Sequence, residues 1–236
     1  MALSPDGKRL VSGSTAAMIC WDVATGHKDV DFSQEGGGPT HIVWSPDGHR
    51  IAAGTVGKNL CVWNAGSGQK LLTLVKGREV AGLAFSPDGT RLVSAFRNGT
   101  MTVWNTDTGK NMYNIRQGKS LYVGVWYSPD GKYIATCVGR NVRLFNAADG
   151  QEAVTLHGDG NEVTCVAFSP DGKRLVSGSR SAPMKIWETS TGKELLTFSH
   201  ARDLRGVAFS LDGRSLFTAG NIDGVRVWET ADWRGP

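Results

Sequence analysis

Eleven residues recur without a single change: Ser4 to Ser14 and Ser169 to Ser179 both read SPDGKRLVSGS. The same four-residue opening returns at Ser45, Ser86, Ser128 and Ser210, the last as SLDG with Leu211 in place of proline. Successive copies lie 41, 41, 42, 41 and 41 residues apart. A fixed period near 40 residues marks a repeat architecture, in which one supersecondary unit buries its apolar face only by stacking on its neighbours. Such folds mostly present surfaces, so the search for function begins with binding rather than chemistry.

A second anchor keeps step with the first. Trp21, Trp63, Trp104, Phe145, Trp187 and Trp228 each close a short apolar stretch, and each is followed by Asp, Asn or Glu. A small-residue turn comes next in most copies, as at 24–26 (ATG), 107–109 (DTG) and 190–192 (STG). Residues 161–198 show the unit most clearly. Val163 to Phe168 is short, apolar and rich in β-formers, and so predicts a buried strand. Ser169-Pro170-Asp171-Gly172 is a turn: proline presets φ, aspartate tolerates the bridge region, and glycine takes the left-handed conformation. Arg174 to Ser179, Met184 to Trp187 and Glu194 to Phe198 predict the second, third and fourth strands. No segment carries sustained helical periodicity, which makes the chain all-β.

A lone four-stranded sheet of this size cannot bury both faces. Sheets stacked face to face around an axis, as in a propeller, solve the problem. The recurring tryptophan then reads as a structural plate between neighbouring sheets. Its indole N–H would bond to a hydroxyl on the second strand, with Ser12, Ser94, Ser177 and Thr218 as candidates.

With VAFSPDG, LVSGS and a third strand ending in Trp before a Thr-Gly turn, the chain resembles the WD-repeat β-propellers from Leu3 to Glu229. The regular SPDG form is similar to bacterial members with recently duplicated repeats. The resemblance implies about six four-stranded antiparallel blades, the first and last incomplete, in one domain spanning 1–236. The repeats fall at roughly 1–33, 40–75, 79–116, 120–156, 162–199 and 204–236. Two family features are worn. The Gly-His pair before each SPDG survives only as Ser199-His200, and the aspartate between second and third strands has only Asn98-Gly99 and Asp223-Gly224 as near matches. The blades are therefore expected to be held mainly by apolar stacking. The first copy begins at MALSPDG and the sixth stops soon after Trp228. Three readings stand: a piece of a longer protein, an imperfect six-bladed ring, or closure by pairing with another chain through open strand edges.

Composition narrows the function. No apolar run reaches membrane-spanning length, and no signal peptide is visible. Cys20, Cys61, Cys137 and Cys165 sit inside predicted strands without zinc-site spacing, so buried reduced thiols and a cytoplasmic setting are expected. The formal charge of +4, evenly spread, argues against nucleic acid as a partner. The Lys8-Arg9 and Lys173-Arg174 pairs read as edge charges that discourage strand pairing. Gly-rich GTVGK at 54–58 lies at a strand end with no following helix, so no phosphate loop forms. Nucleophile elbows and metal-binding histidine pairs are absent, and no cofactor is expected. Only His41, Asn161, Glu162 and Arg205 bring polar chemistry near the inner strands.

The loops of one face carry the sharper signal. Lys58, Arg97, Arg140 and Arg180 lie in turns between second and third strands. Arg78, Lys119, Arg202 and Arg205 lie in loops leading into inner strands, with Tyr122 beside them. Glu35, Glu79, Asp159, Glu162, Asp203 and Asp223 share those loops. The expectation is a non-catalytic interaction scaffold whose basic rim takes an acidic protein or peptide partner. The alternatives are a propeller segment of a larger regulatory protein, kinase-linked for example, and a propeller hydrolase or lactonase.

Overall fold

The computed structural model describes residues 1–15, 17–32, 37–116, 124–158, 162–180, 182–198, 203–221 and 224–229. They form six antiparallel sheets and no helix, an all-β fold of the propeller class with one sheet per blade. The chain divides into two compact units, Met1–Lys119 and Ser120–Pro236.

The first unit holds three four-stranded sheets. Sheet 1 contains β1 (Ala2–Leu3), β2 (Arg9–Gly13), β3 (Met18–Asp22) and β4 (Lys28–Phe32). Sheet 2 contains β5 (Pro39–Trp44), β6 (Arg50–Thr55), β7 (Leu60–Asn64) and β8 (Lys70–Val75). Sheet 3 contains β9 (Val80–Phe85), β10 (Arg91–Phe96), β11 (Thr100–Asn105) and β12 (Asn111–Arg116). In the second unit, sheet 4 is β13 (Val125–Tyr127), β14 (Tyr133–Val138), β15 (Asn141–Asn146) and β16 (Glu152–His157). Sheet 5 is β17 (Val163–Phe168), β18 (Arg174–Ser179), β19 (Met184–Glu188) and β20 (Glu194–Phe198). Sheet 6 has three described strands, β21 (Leu204–Phe209), β22 (Ser215–Gly220) and β23 (Gly224–Glu229). Each sheet is a meander, every strand pairing with its sequence neighbour. The strands expected over 163–198 therefore stand where the alternation and turns put them, β19 running one residue further.

The six SPDG-type turns share one set of bonds. In the first, the Ser4 hydroxyl donates to Asp6 Oδ1 at 2.6 Å. The backbone N–H of Arg9 and of Lys8 return to Ser4 Oγ at 2.9 Å and Asp6 Oδ1 at 3.1 Å. The Ser–Asp bond recurs at 2.5–2.6 Å in the other five. All six turn glycines adopt φ between 69° and 72°, a region closed to residues with a Cβ unless strain is accepted. Leu211 therefore replaces proline without cost to the turn, since neither the bonds nor the left-handed residue depend on that position.

The core lies between sheets within each unit. One face of sheet 1 (Val11, Met18, Cys20, Phe32) packs on Trp44, Ile51, Ala53, Cys61 and Trp63 of sheet 2. The pattern repeats between sheets 2 and 3, sheets 4 and 5, and sheets 5 and 6. The glycine of the second strand sets the closeness of three such seams. A Cβ at Gly13, Gly54 or Gly178 would stand 2.1, 2.6 and 2.8 Å from Pro39, Val80 and Leu204, the first residues of the next sheet's inner strand in the first two cases and of β21 in the third.

Arg9 departs from the expectation of an edge charge. Its guanidinium lies 4.9 Å from the Trp44 ring centroid and donates to Ala65 O and Gly48 O of the next sheet. Arg50 repeats the clasp on Thr106 O, at 2.9 Å, and Asp107. Both are seam residues, because the arginine stem is long enough to cover the neighbouring aromatic while its head reaches unpaired carbonyls.

Candidate functional site

The recurring aromatics are structural. In five sheets the third and fourth strands slip register immediately before the aromatic, at Cys20/Trp21, Val62/Trp63, Val103/Trp104, Leu144/Phe145 and Ile186/Trp187. Such a bulge re-aims the following side chain. Four indole N–H groups donate to the hydroxyls expected from the sequence: Trp21 to Ser12 (2.8 Å), Trp104 to Ser94 (2.9 Å), Trp187 to Ser177 (2.8 Å) and Trp228 to Thr218 (3.0 Å). Trp63 and Phe145 are buried at 1% and 2% exposure. The polar residue after the aromatic closes the next turn: Asp22, Asn64 and Asn105 accept backbone N–H bonds from Thr25, Ser67 and Thr108 at 2.7–2.9 Å.

The turns between second and third strands are tied by backbone bonds to the loops that lead into inner strands. In the first unit, Gly38 N donates to Thr15 O (2.7 Å) and Val56 N to Gly38 O (3.0 Å). Arg78 N donates to Lys58 O (2.9 Å), and Arg97 N to Glu79 O (3.3 Å). In the second unit, Val163 N donates to Gly139 O (2.9 Å), Asp203 N to Arg180 O (2.8 Å) and Asn221 N to Asp203 O (3.4 Å). Each unit thus carries a belt of linked turns. These bonds do the work that the worn Gly-His and Asp positions leave undone, and they hold the loop residues on one side of their sheets.

The structure sorts the nine candidate binding residues into three groups. Lys119, Tyr122 and Arg202 lie outside the described residues, as do Glu35, Asp159, Asn161 and Asp223. Three of the others have local partners. Arg97 pairs with Glu79. Arg205 Nε lies 3.7 Å from Asp203 Oδ1. The Arg78 guanidinium stacks 3.8 Å from the Phe96 centroid and donates to Thr100 Oγ1, and burial lowers its pKa. Arg78 is thereby a pin between the loop before β9 and the turn before β11, a role with no signal in the sequence pattern. Lys58, Arg140 and Arg180 are exposed, with no carboxylate in ion-pair contact among the described residues.

Lys58 has a further distinction: its φ is 61°. The register places it where sheet 3 has Gly99, with φ 78°, so a cation stands where the backbone favours glycine. His41, on β5, is half-buried. Desolvation and then the charge of Arg97 push its pKa down, so it is a neutral ring near the first unit's belt at pH 7.

Among the described residues no three His, Cys, Asp or Glu side chains come together as a metal site would require. The four cysteines are buried free thiols. Burial pushes the thiols of Cys20, Cys137 and Cys165 up, which suits packing rather than nucleophilic work. Among the described residues no helix is long and apolar enough to cross a membrane.

Two family models match the chain. The model for the WD domain, G-beta repeat, matches residues 150–188, and that for the anaphase-promoting complex subunit 4 WD40 domain matches residues 42–126. No curated protein matches. The two matched stretches lie in different units. Both contain the SPDG turn or the aromatic-ended third strand whose bonds are described above, and the remaining sheets repeat that geometry. The chain belongs to the WD40-repeat family.

Proposed function

We propose that this chain is a non-catalytic interaction scaffold, a single propeller domain over residues 1–236, whose linked turns take an acidic or phosphorylated segment of a protein partner. WD40 domains generally mediate protein–protein contacts, which supports the coarser part of this reading. The observation that carries the finer part is the belt: exposed Lys58, Arg140 and Arg180 stand on turns whose backbone is held by bonds to neighbouring loops. A cation on a held turn loses little freedom when it meets an anion, and arginine's planar fork matches carboxylate or phosphate oxygens in pairs. Arg97 contributes once its Glu79 partner is displaced, and Arg205 likewise from Asp203. The four buried thiols fit a reducing, cytoplasmic setting.

The test is binding of the full chain to a panel of acidic, phosphorylated and neutral peptides, read by fluorescence anisotropy. The parent chain is expected to prefer anionic peptides and to weaken as salt rises. Reversal of Arg97, Arg140 and Arg180 to glutamate should abolish that preference. Unchanged affinity in the triple variant, or no discrimination by the parent, overturns the reading.

A further inference from the structure

The two faces of a sheet are not equivalent in this molecule. Call the face carrying Val176, Met184 and Ile186 in sheet 5 the leading face; it packs on Leu216 and Trp228 of sheet 6, on that sheet's trailing face. The register pairs Val176 with Ile186, and the corresponding pair in sheet 6 is Phe217 with Val227. In sheets 1 to 5 the apolar residues at the three leading-face positions are at most 4% exposed. In sheet 6 they are not: Phe217, Val225 and Val227 are 40%, 72% and 55% exposed.

Sheet 1 shows the opposite gap. Its trailing face carries Leu3 at 56% exposure, where sheets 2 and 3 have Trp44 at 9% and Phe85 at 8%. Leu10 is half-buried, whereas Ile51, Leu92, Ile134, Leu175 and Leu216 at the same position are 0% exposed.

The turns repeat the mismatch. A Cβ on Gly48, Gly89 or Gly213 would meet Pro5, Pro46 or Pro170 of the preceding sheet's turn at 3.8, 3.8 and 3.4 Å. Gly7 of sheet 1 has nothing within 4 Å, and Leu211, at the proline position of sheet 6, is 98% exposed. One uncovered leading face and one uncovered trailing face therefore match in side-chain type, register and turn contact.

We infer that the leading face of sheet 6 is an interaction surface for the trailing face of sheet 1 of a second copy of this chain. Leu211 would seat over the partner copy's turn glycine at position 7, as the prolines do elsewhere. Phe217, Val225 and Val227 would cover the partner copy's leucines at positions 3 and 10. The contact is head to tail, so it extends from copy to copy unless the rotation closes a ring. An apolar face of this kind on a stable protein marks an interaction site. The seam rule, seen in four places within the units, names what covers it.

The test is the solution mass of the full 25.3 kDa chain by light scattering across a hundredfold range of concentration. Mass is expected to rise with concentration. Val225→Asp and Leu3→Asp should each hold the chain at monomer mass, and an equal mixture of the two should stop at two chains, since each keeps one intact face. Leu211→Arg, on a side chain too exposed to affect folding, should weaken assembly at least threefold. A concentration-independent monomer overturns the inference. So does assembly abolished by Val225→Asp but untouched by Leu3→Asp, which would mean that sheet 6 pairs with itself.

Discussion

Sheets 2 and 4 each keep one half of the same buried pair. Sheet 2 has the indole, Trp63, but Ala53 stands where the hydroxyl belongs. Sheet 4 has the hydroxyl, Thr136, but Phe145 stands where the indole belongs. Trp63 Nε1 and Thr136 Oγ1 are accordingly buried without partners, while sheets 1, 3, 5 and 6 make the bond at 2.8–3.0 Å. Yet both aromatics are as deeply placed as their bonded counterparts. Plate and bond are thus separable. The aromatic's volume fills the seam, and the hydrogen bond relieves a polar group that the volume has buried. The orphaned atom costs about 1–3 kcal/mol in each sheet.

The largest way to break the comparison is to remove the plates. Trp63→Ala and Phe145→Ala should each lose about 3–5 kcal/mol, because a large cavity opens in a packed seam. Urea unfolding measures this. Near-equal losses would mean that volume dominates; a much smaller loss at Trp63 would mean that its orphaned N–H already offsets the plate.

A smaller effect, of opposite sign, comes from repairing the halves. Ala53→Ser should supply Trp63 with its acceptor, and Thr136→Val should remove a hydroxyl with nothing to bond. Each is expected to stabilise by about 1 kcal/mol. Ser94→Ala, which orphans Trp104, should destabilise by a similar amount. A destabilising Ala53→Ser would show that seam 2 lacks room for the oxygen and that the missing hydroxyl is a packing choice.

The gentlest test concerns what all six sheets share. The SPDG carboxylates are held below their ordinary value of 3.8. For Asp6, Asp88 and Asp212 the serine hydroxyl bond is the main cause. For Asp47, Asp130 and Asp171 burial opposes ionisation, and the bonds from serine and backbone together outweigh it. A depressed folded-state pKa stabilises above the unfolded value and ceases to as pH falls through the folded one. The urea midpoint should therefore stay flat down to about pH 4 and drop below it. Asp88→Asn should flatten that drop slightly. An unchanged profile would mean that this turn carries no pH-linked stability.

How much was legible in advance follows from how local each feature is. The four tryptophan–hydroxyl partners were readable because strand register is set by a turn a few residues away. Arg9 was not: the aromatic it covers is 35 positions on, across a seam. Nor was the Arg78 pin on Phe96 and Thr100, which joins two loops that composition treats alike. The ion pairs of Arg97 with Glu79 and Arg205 with Asp203 likewise turn a count of rim charges into a shorter set of exposed ones.

The sequence by itself determined the repeat, the strand order, the turn chemistry and the aromatic plates, since all four depend on residues within a single period. The tertiary structure decided which glycines face a neighbouring sheet, which cations are already matched, which polar atoms are stranded, and which sheet faces stay uncovered. Those depend on distances across seams between repeats, and near-identical repeats carry no information about which neighbour each one meets.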